Sequence, residues 1–99
     1  MAYATASVNG VIIAESDHYE KVEGNIYFPP ASIKQEYFTT TDTHTGCPWK
    51  GTASYYTVDV GDGIPLVDTA WYYAEPKEAA SSIKGYVAFY KNKVHIKTG

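Results

Sequence analysis

The chain has 99 residues, 44% of them hydrophobic and only 19% charged, which fits one globular domain over residues 1–99 and excludes a disordered segment. Its formal charge is −3 and all eight basic residues are lysine, so the arginine-rich basic stripe that grips phosphate backbones is missing and nucleic acid is excluded as an expected partner. One cysteine leaves no internal disulfide, Met1-Ala2-Tyr3-Ala4-Thr5 lacks the parts of a secretory signal, and no apolar run is long enough to span a membrane, so the expectation is a cytoplasmic protein without membrane contact.

Ten tyrosines and two tryptophans supply ring area that favours pleated, half-buried surfaces, and the elements read accordingly. Residues 4–8 and 11–15 flank Asn9-Gly10, the dipeptide suited to the two positive-φ positions of a type I′ turn, which predicts a hairpin. Residues 19–22 and 26–28 read as short strands around Glu23-Gly24-Asn25, stopped by Pro29-Pro30 because proline cannot donate to a ladder. Ser32 with Gln35 matches a capping box, and Ile33 with Tyr37 forms an i,i+4 apolar stripe, predicting a short helix there. Residues 50–60 and 64–73 form a central hairpin through Gly61-Asp62-Gly63. Residues 75–84 read as a second short helix, with Pro76 in its first turn and Gly85 as its stop. Residues 86–90 and 94–97 close the chain as a hairpin around Asn92. The fold class is therefore mainly β, a compact antiparallel domain of about eight short strands and two short helices.

The densest chemistry lies in Thr43-His44-Thr45-Gly46-Cys47-Pro48-Trp49-Lys50-Gly51, where the sole cysteine has His44 on one side and Lys50 on the other. That setting would favour a thiolate, while a buried cysteine acting as a small hydrophobe is the plainer reading. A metal ligand comes last, since His18, His44 and His95 lie on separate segments and no set of four N or S ligands is evident, so neither a metal nor another cofactor is expected. If Val60 faces Ile64 across the central loop, Ala53 opposes Trp71, Gly51 opposes Tyr73 and Tyr55 opposes Thr69. Small residues facing large rings serve core packing, or else a groove floored by Gly51 and Ala53 and walled by Tyr55, Trp71 and Tyr73. Asp68, Ser54 and Tyr56 fall on the opposite face in this register and read as surface.

The phrases Cys47-Pro48-Trp49-Lys50-Gly51-Thr52-Ala53-Ser54-Tyr55-Tyr56, Ala70-Trp71-Tyr72-Tyr73 and Ile83-Lys84-Gly85-Tyr86-Val87-Ala88-Phe89-Tyr90, with Tyr27-Phe28-Pro29 before them, resemble the domain-of-unknown-function family 427. The resemblance implies a small β-rich domain with a tent-like arrangement of sheets, and it carries a nucleotidyltransferase-like label. The chain lacks the paired carboxylates and glycine-serine turn that hold Mg²⁺ and a triphosphate in conventional nucleotidyltransferases.

The candidate ligand-binding residues are Cys47, Lys50, Tyr55, Trp71, Tyr73 and His44, expected around a pocket for a small anionic or ring-containing molecule. Two alternatives stand beside this reading. One is an enzyme using Cys47 as nucleophile or Lys50 as an activated amine, and the other is an interaction module with a tyrosine-rich face; the oligomeric state is left open.

Overall fold

The computed structural model describes residues 3–99. Three antiparallel sheets make up the fold. The first has the order β2-β1-β9, from β1 (Ala4–Val8), β2 (Val11–Ser16) and β9 (His95–Thr98). The second is the ribbon of β3 (Glu20–Val22) and β4 (Asn25–Tyr27). The third has the order β5-β6-β7-β8, from β5 (Phe38–Cys47), β6 (Gly51–Val58), β7 (Leu66–Tyr72) and β8 (Val87–Phe89).

Both tight hairpins follow from their turn residues. Asn9 and Gly10 take φ of 50° and 81°, and Glu23 and Gly24 take 55° and 80°, the paired left-handed values that match the twist of the flanking strands. Asn25, expected in the second turn, instead opens β4.

The central hairpin keeps the expected register only near its loop. Val58 faces Leu66 as the loop predicts, but Thr57 then stands against Val67, Asp68 and Thr69, and beyond that bulge Tyr56 pairs with Ala70 and Tyr55 with Trp71. Trp71 therefore faces Tyr55 rather than Ala53. The slip is two residues, so each side chain stays on its expected face. Asp68 absorbs the bulge with φ of 53°, and its carboxylate is fixed by Thr41 and Thr43, whose hydroxyls donate at 2.7 and 2.6 Å.

Four expectations are corrected. The first expected helix is two separate 3₁₀ turns, Pro30–Ser32 and Gln35–Tyr37, divided by Ile33 in extended geometry. Ile33 bridges to Ala14 and the Lys34 N–H donates to the Ile13 carbonyl at 2.8 Å, so strand-like pairing overrides the local helical signal, while the Ser32 hydroxyl donates to the Pro29 carbonyl. The second is a 3₁₀ segment, Glu78–Ile83, whose regularity breaks at Ala80, with Ala80 and Ile83 both buried. The closing hairpin does not form: β8 pairs with β7, whereas β9 crosses to pair with β1, with Val94 buried at the crossing. The ninth strand is β5, a ten-residue edge of threonines, Asp42 and His44 with no apolar alternation to announce it.

The four-stranded sheet is covered on both faces. On one, Phe38, Val58, Ala70, Val87 and Phe89 pack with Ala4, Ala6, Val8, Ile13 and Ala14 of the first sheet. On the other, Ala53, Tyr55, Tyr73 and Ala88 pack under Tyr27, Ala80 and Ile83. Tyr27 and Phe28 are both fully buried and supply the two clusters in turn, as successive residues of an extended chain must. Phe28 is locked by reciprocal backbone hydrogen bonds to Val87, both 2.8 Å.

Among the described residues, Thr69 Oγ1 is the buried side-chain polar atom left without a hydrogen-bond partner. Orphaning such a group costs about 1–3 kcal/mol. Thr69→Val keeps the shape and removes the hydroxyl, so it is expected to raise unfolding stability by about 1 kcal/mol in urea titration. A loss of about 1 kcal/mol would show instead that the hydroxyl is bonded in the native protein.

Candidate functional site

The site is organised by the turn between β5 and β6. Cys47 pairs with Gly51 across it, leaving Pro48, Trp49 and Lys50 as the turn itself. Gly51 takes φ of 113°, a conformation that residues with a side chain rarely adopt, and it packs beside the Glu75 carbonyl and the Lys77 nitrogen on the chain before the 3₁₀ segment. Lys77 clamps that contact twice, its N–H donating to the Lys50 carbonyl at 2.9 Å and its ammonium to the Pro48 carbonyl at 2.6 Å.

This geometry turns Lys50 inward. The residue is 7% exposed, and its ammonium lies 5.3 Å from the centroid of the Trp49 ring and 5.7 Å from that of Tyr73. It donates to Glu23 Oε1, a carboxylate carried by the tip of the β3–β4 turn and half-exposed. Lys50 is thus a buried ammonium with a carboxylate partner. Burial by itself pushes the ammonium pKa down; the Glu23 hydrogen bond, with the Tyr27 and Tyr73 phenols adding to it, more than offsets that and holds Lys50 above the ordinary lysine value. Glu23 is held below the usual glutamate value by the Lys50 hydrogen bond first, and the Trp49 side chain acts in the same direction.

Five of the six expected site residues gather here. Burial pushes the Tyr73 phenol up against the opposing effect of Lys50, and Tyr27, Cys47 and Tyr55 lie close enough to add to the rise. The Tyr55 hydroxyl shares a hydrogen bond of 2.9 Å with Thr45 Oγ1. Trp71 donates from Nε1 to the Tyr27 hydroxyl at 3.2 Å, stands edge-on to that ring, and meets Tyr90 in a tilted contact at 4.8 Å between centroids. Tyr90 is pushed up to about 12, chiefly by its hydrogen bond with Tyr55.

His44 stands apart. It is exposed on the opposite face of the sheet, with Nδ1 at 3.2 Å from Ser54 Oγ, because it precedes Cys47 by an odd number of strand positions. The three residues read together as an opposite-face set are also dispersed: Ser54 joins His44, Asp68 joins Thr41 and Thr43, and Tyr56 stacks on Tyr72 at 4.6 Å.

On the outer side of the turn lies a cleft of about 370 Å³, lined by Gly46, Cys47, Pro48, Gly51, Thr52 and Lys77. Cys47 is half-buried and touches both this cleft and the aromatic cluster, whereas Lys50, Tyr55, Trp71 and Tyr73, expected around a pocket, are not among the residues lining it. Sequence reasoning missed Lys77, Glu23 and Tyr90. Lys77 and Glu23 reach the turn from remote segments, and no spacing in the chain reports such approaches. Among the described residues, no group of three or more His, Cys, Asp or Glu side chains could hold a metal ion, and no helix is long and apolar enough to cross a membrane.

The ion pair makes stability depend on pH at both ends. Glu23, depressed below its ordinary 4.5, contributes stability that is present above that value and lost as pH falls through its lower folded pKa. Lys50, raised above 10.5, contributes stability present below that value and lost as pH climbs through its higher folded pKa. Glu23→Gln is therefore expected to melt below the wild type at pH 7, with the gap closing in acid below pH 4.5 as Glu23 protonates. Thermal melts from pH 3 to 8 check this, and a gap independent of pH would contradict it.

A search of curated proteins finds no match to the chain. A family model covering residues 3–98 does match, under the name NTP_transf_9 and the description domain of unknown function (DUF427). With nearly all of its length aligned to that model, and the Cys47–Lys50 turn and its aromatic neighbours inside the match, the chain belongs to the DUF427 family.

Proposed function

We propose that the cleft beside Cys47 binds a small anionic or ring-containing molecule. The observation that carries this reading is a shallow, open concavity whose lining combines a thiol, a threonine hydroxyl and a lysine ammonium with Gly46, where a side chain would stand in open space. Lys77 is exposed at the rim and supplies the positive charge, while the ring cluster of Tyr55, Tyr73 and Trp71 stiffens the wall from behind. The expected partner is thus a small molecule, handled in the cytoplasm and without nucleic acid. Cys47 supports a second reading, in which its sulfur attacks the bound molecule, because it is the nucleophilic side chain that lines the cleft.

Cys47 is the sole thiol, so its alkylation rate reports on the cleft directly. Nucleoside monophosphates, sugar phosphates and small carboxylates are added in turn, with glutathione alkylated in the same mixtures as a reference. A ligand at about ten times its Kd is expected to slow Cys47 alkylation roughly tenfold without slowing glutathione. If no compound of these classes protects the thiol, the cleft is not such a site. A mass increment on Cys47 from a bound compound would favour the nucleophile reading.

A further inference from the structure

The burial of the Lys50–Glu23 pair is one-sided. The lysine side chain is 9% exposed and the glutamate side chain 52%, so the ammonium is sealed in rings while its carboxylate partner approaches from solvent. That partner sits on a ribbon of two three-residue strands, at a turn whose Glu23 holds the left-handed φ of 55° that a side-chain-bearing residue rarely adopts. The base of the ribbon is fixed by the Phe28–Val87 hydrogen bonds and the buried Tyr27. Its tip is tied by Lys50 and by an exposed hydrogen bond, Lys91 Nζ to the Gly24 carbonyl at 3.0 Å. A buried ammonium requires a partner, but its surroundings require only a carboxylate and not one attached to this chain.

We propose that Glu23 occupies an exchangeable carboxylate site on Lys50, and that a small-molecule carboxylate replaces it as the tip of the β3–β4 ribbon lifts. This goes beyond the cleft reading: the site is the position of Glu23 on Lys50, and neither residue lines the cleft. Cys47 and Gly51 border the cleft, and Lys50 is not part of its lining. Lys50 supplies the ammonium, the Trp49 and Tyr73 rings lie beside it, and the group that occupies the position now is a carboxylate. The geometry that seats a planar carboxylate on this ammonium is thus already present, and carboxylate is the ligand class it fits.

The test is chemical rescue in the full chain. Glu23→Ala removes the tethered carboxylate and is expected to melt lower than the wild type in sodium chloride. Sodium acetate at matched ionic strength is then expected to raise its melting temperature along a saturable curve. The wild type should need at least about tenfold more acetate for the same response, because its own carboxylate competes at high effective concentration. Inorganic phosphate should act more weakly than acetate, and Glu23→Ala combined with Lys50→Met should respond to acetate no more than to chloride.

An acetate response equal to that of chloride, or one that survives loss of Lys50, would overturn the proposal, and an equal or stronger phosphate response would overturn the carboxylate assignment. If Glu23→Ala does not fold, the same titration on Glu23→Gln is read by tryptophan emission, where a saturable acetate-specific change supports the exchange and its absence refutes it. Protection of Cys47 with no acetate rescue would leave the cleft reading standing and remove this one. Rescue without protection would do the reverse.

Discussion

A lysine ammonium enclosed by aromatic rings is the constraint on which this end of the molecule depends. Lys50 can point inward because Gly51 takes the positive φ with which the chain leaves the turn, and because Lys77 holds that turn from two directions. An ammonium placed among rings without an anion would be strongly unfavourable. Glu23 answers that requirement, and in doing so it ties the tip of the β3–β4 ribbon to the Lys50 turn.

The same ribbon joins the two halves of the core. Tyr27 and Phe28 point to opposite faces of the four-stranded sheet, one towards the Lys50 and Trp71 side and the other into the packing with the first sheet. A shift of the ribbon at its base would disturb both clusters, whereas its tip is held by two hydrogen bonds from lysines. The base is therefore held by more burial than the tip, where Val22 packs partly buried against the Tyr27 cluster beside the two lysine hydrogen bonds.

Much of this architecture was legible in the residues. Asn9-Gly10 and the alternation around it determine the first hairpin, and the aromatic faces of β6 and β7 survive a bulge because its slip is even. What was not legible has physical causes. β5 is an edge strand with polar side chains along most of its length, so no period-two apolar pattern marks it, although its threonines favour extended backbone. The two helical signals were real as local preferences, but Ile33 and Ala80 gain more from tertiary pairing and burial than from a helical turn. The route of β9 to β1 is a choice between partners distant in sequence, which local pattern does not encode.

The candidate site divided in the same way. Proximity along the chain puts Cys47 and Lys50 on one turn, and strand parity puts Tyr55, Trp71 and Tyr73 on the same side of the sheet, but of these five only Cys47 lines the cleft. Parity also took His44 away, since a residue three positions from Cys47 along a strand lies on the other face. The charge state of Lys50 depended on Glu23, a turn residue from another sheet, and no motif announced that pairing.

The most direct measurement is the thermal stability of Glu23→Gln against Glu23→Gln combined with Lys50→Met, at neutral pH. If Lys50 is a buried charge that requires its partner, removing the ammonium after the carboxylate has gone relieves an unpaired charge, and the double variant should melt above the single one. A double variant that melts below Glu23→Gln would show that Lys50 supports the fold without Glu23, and that the ion pair does not organise this end of the sheet.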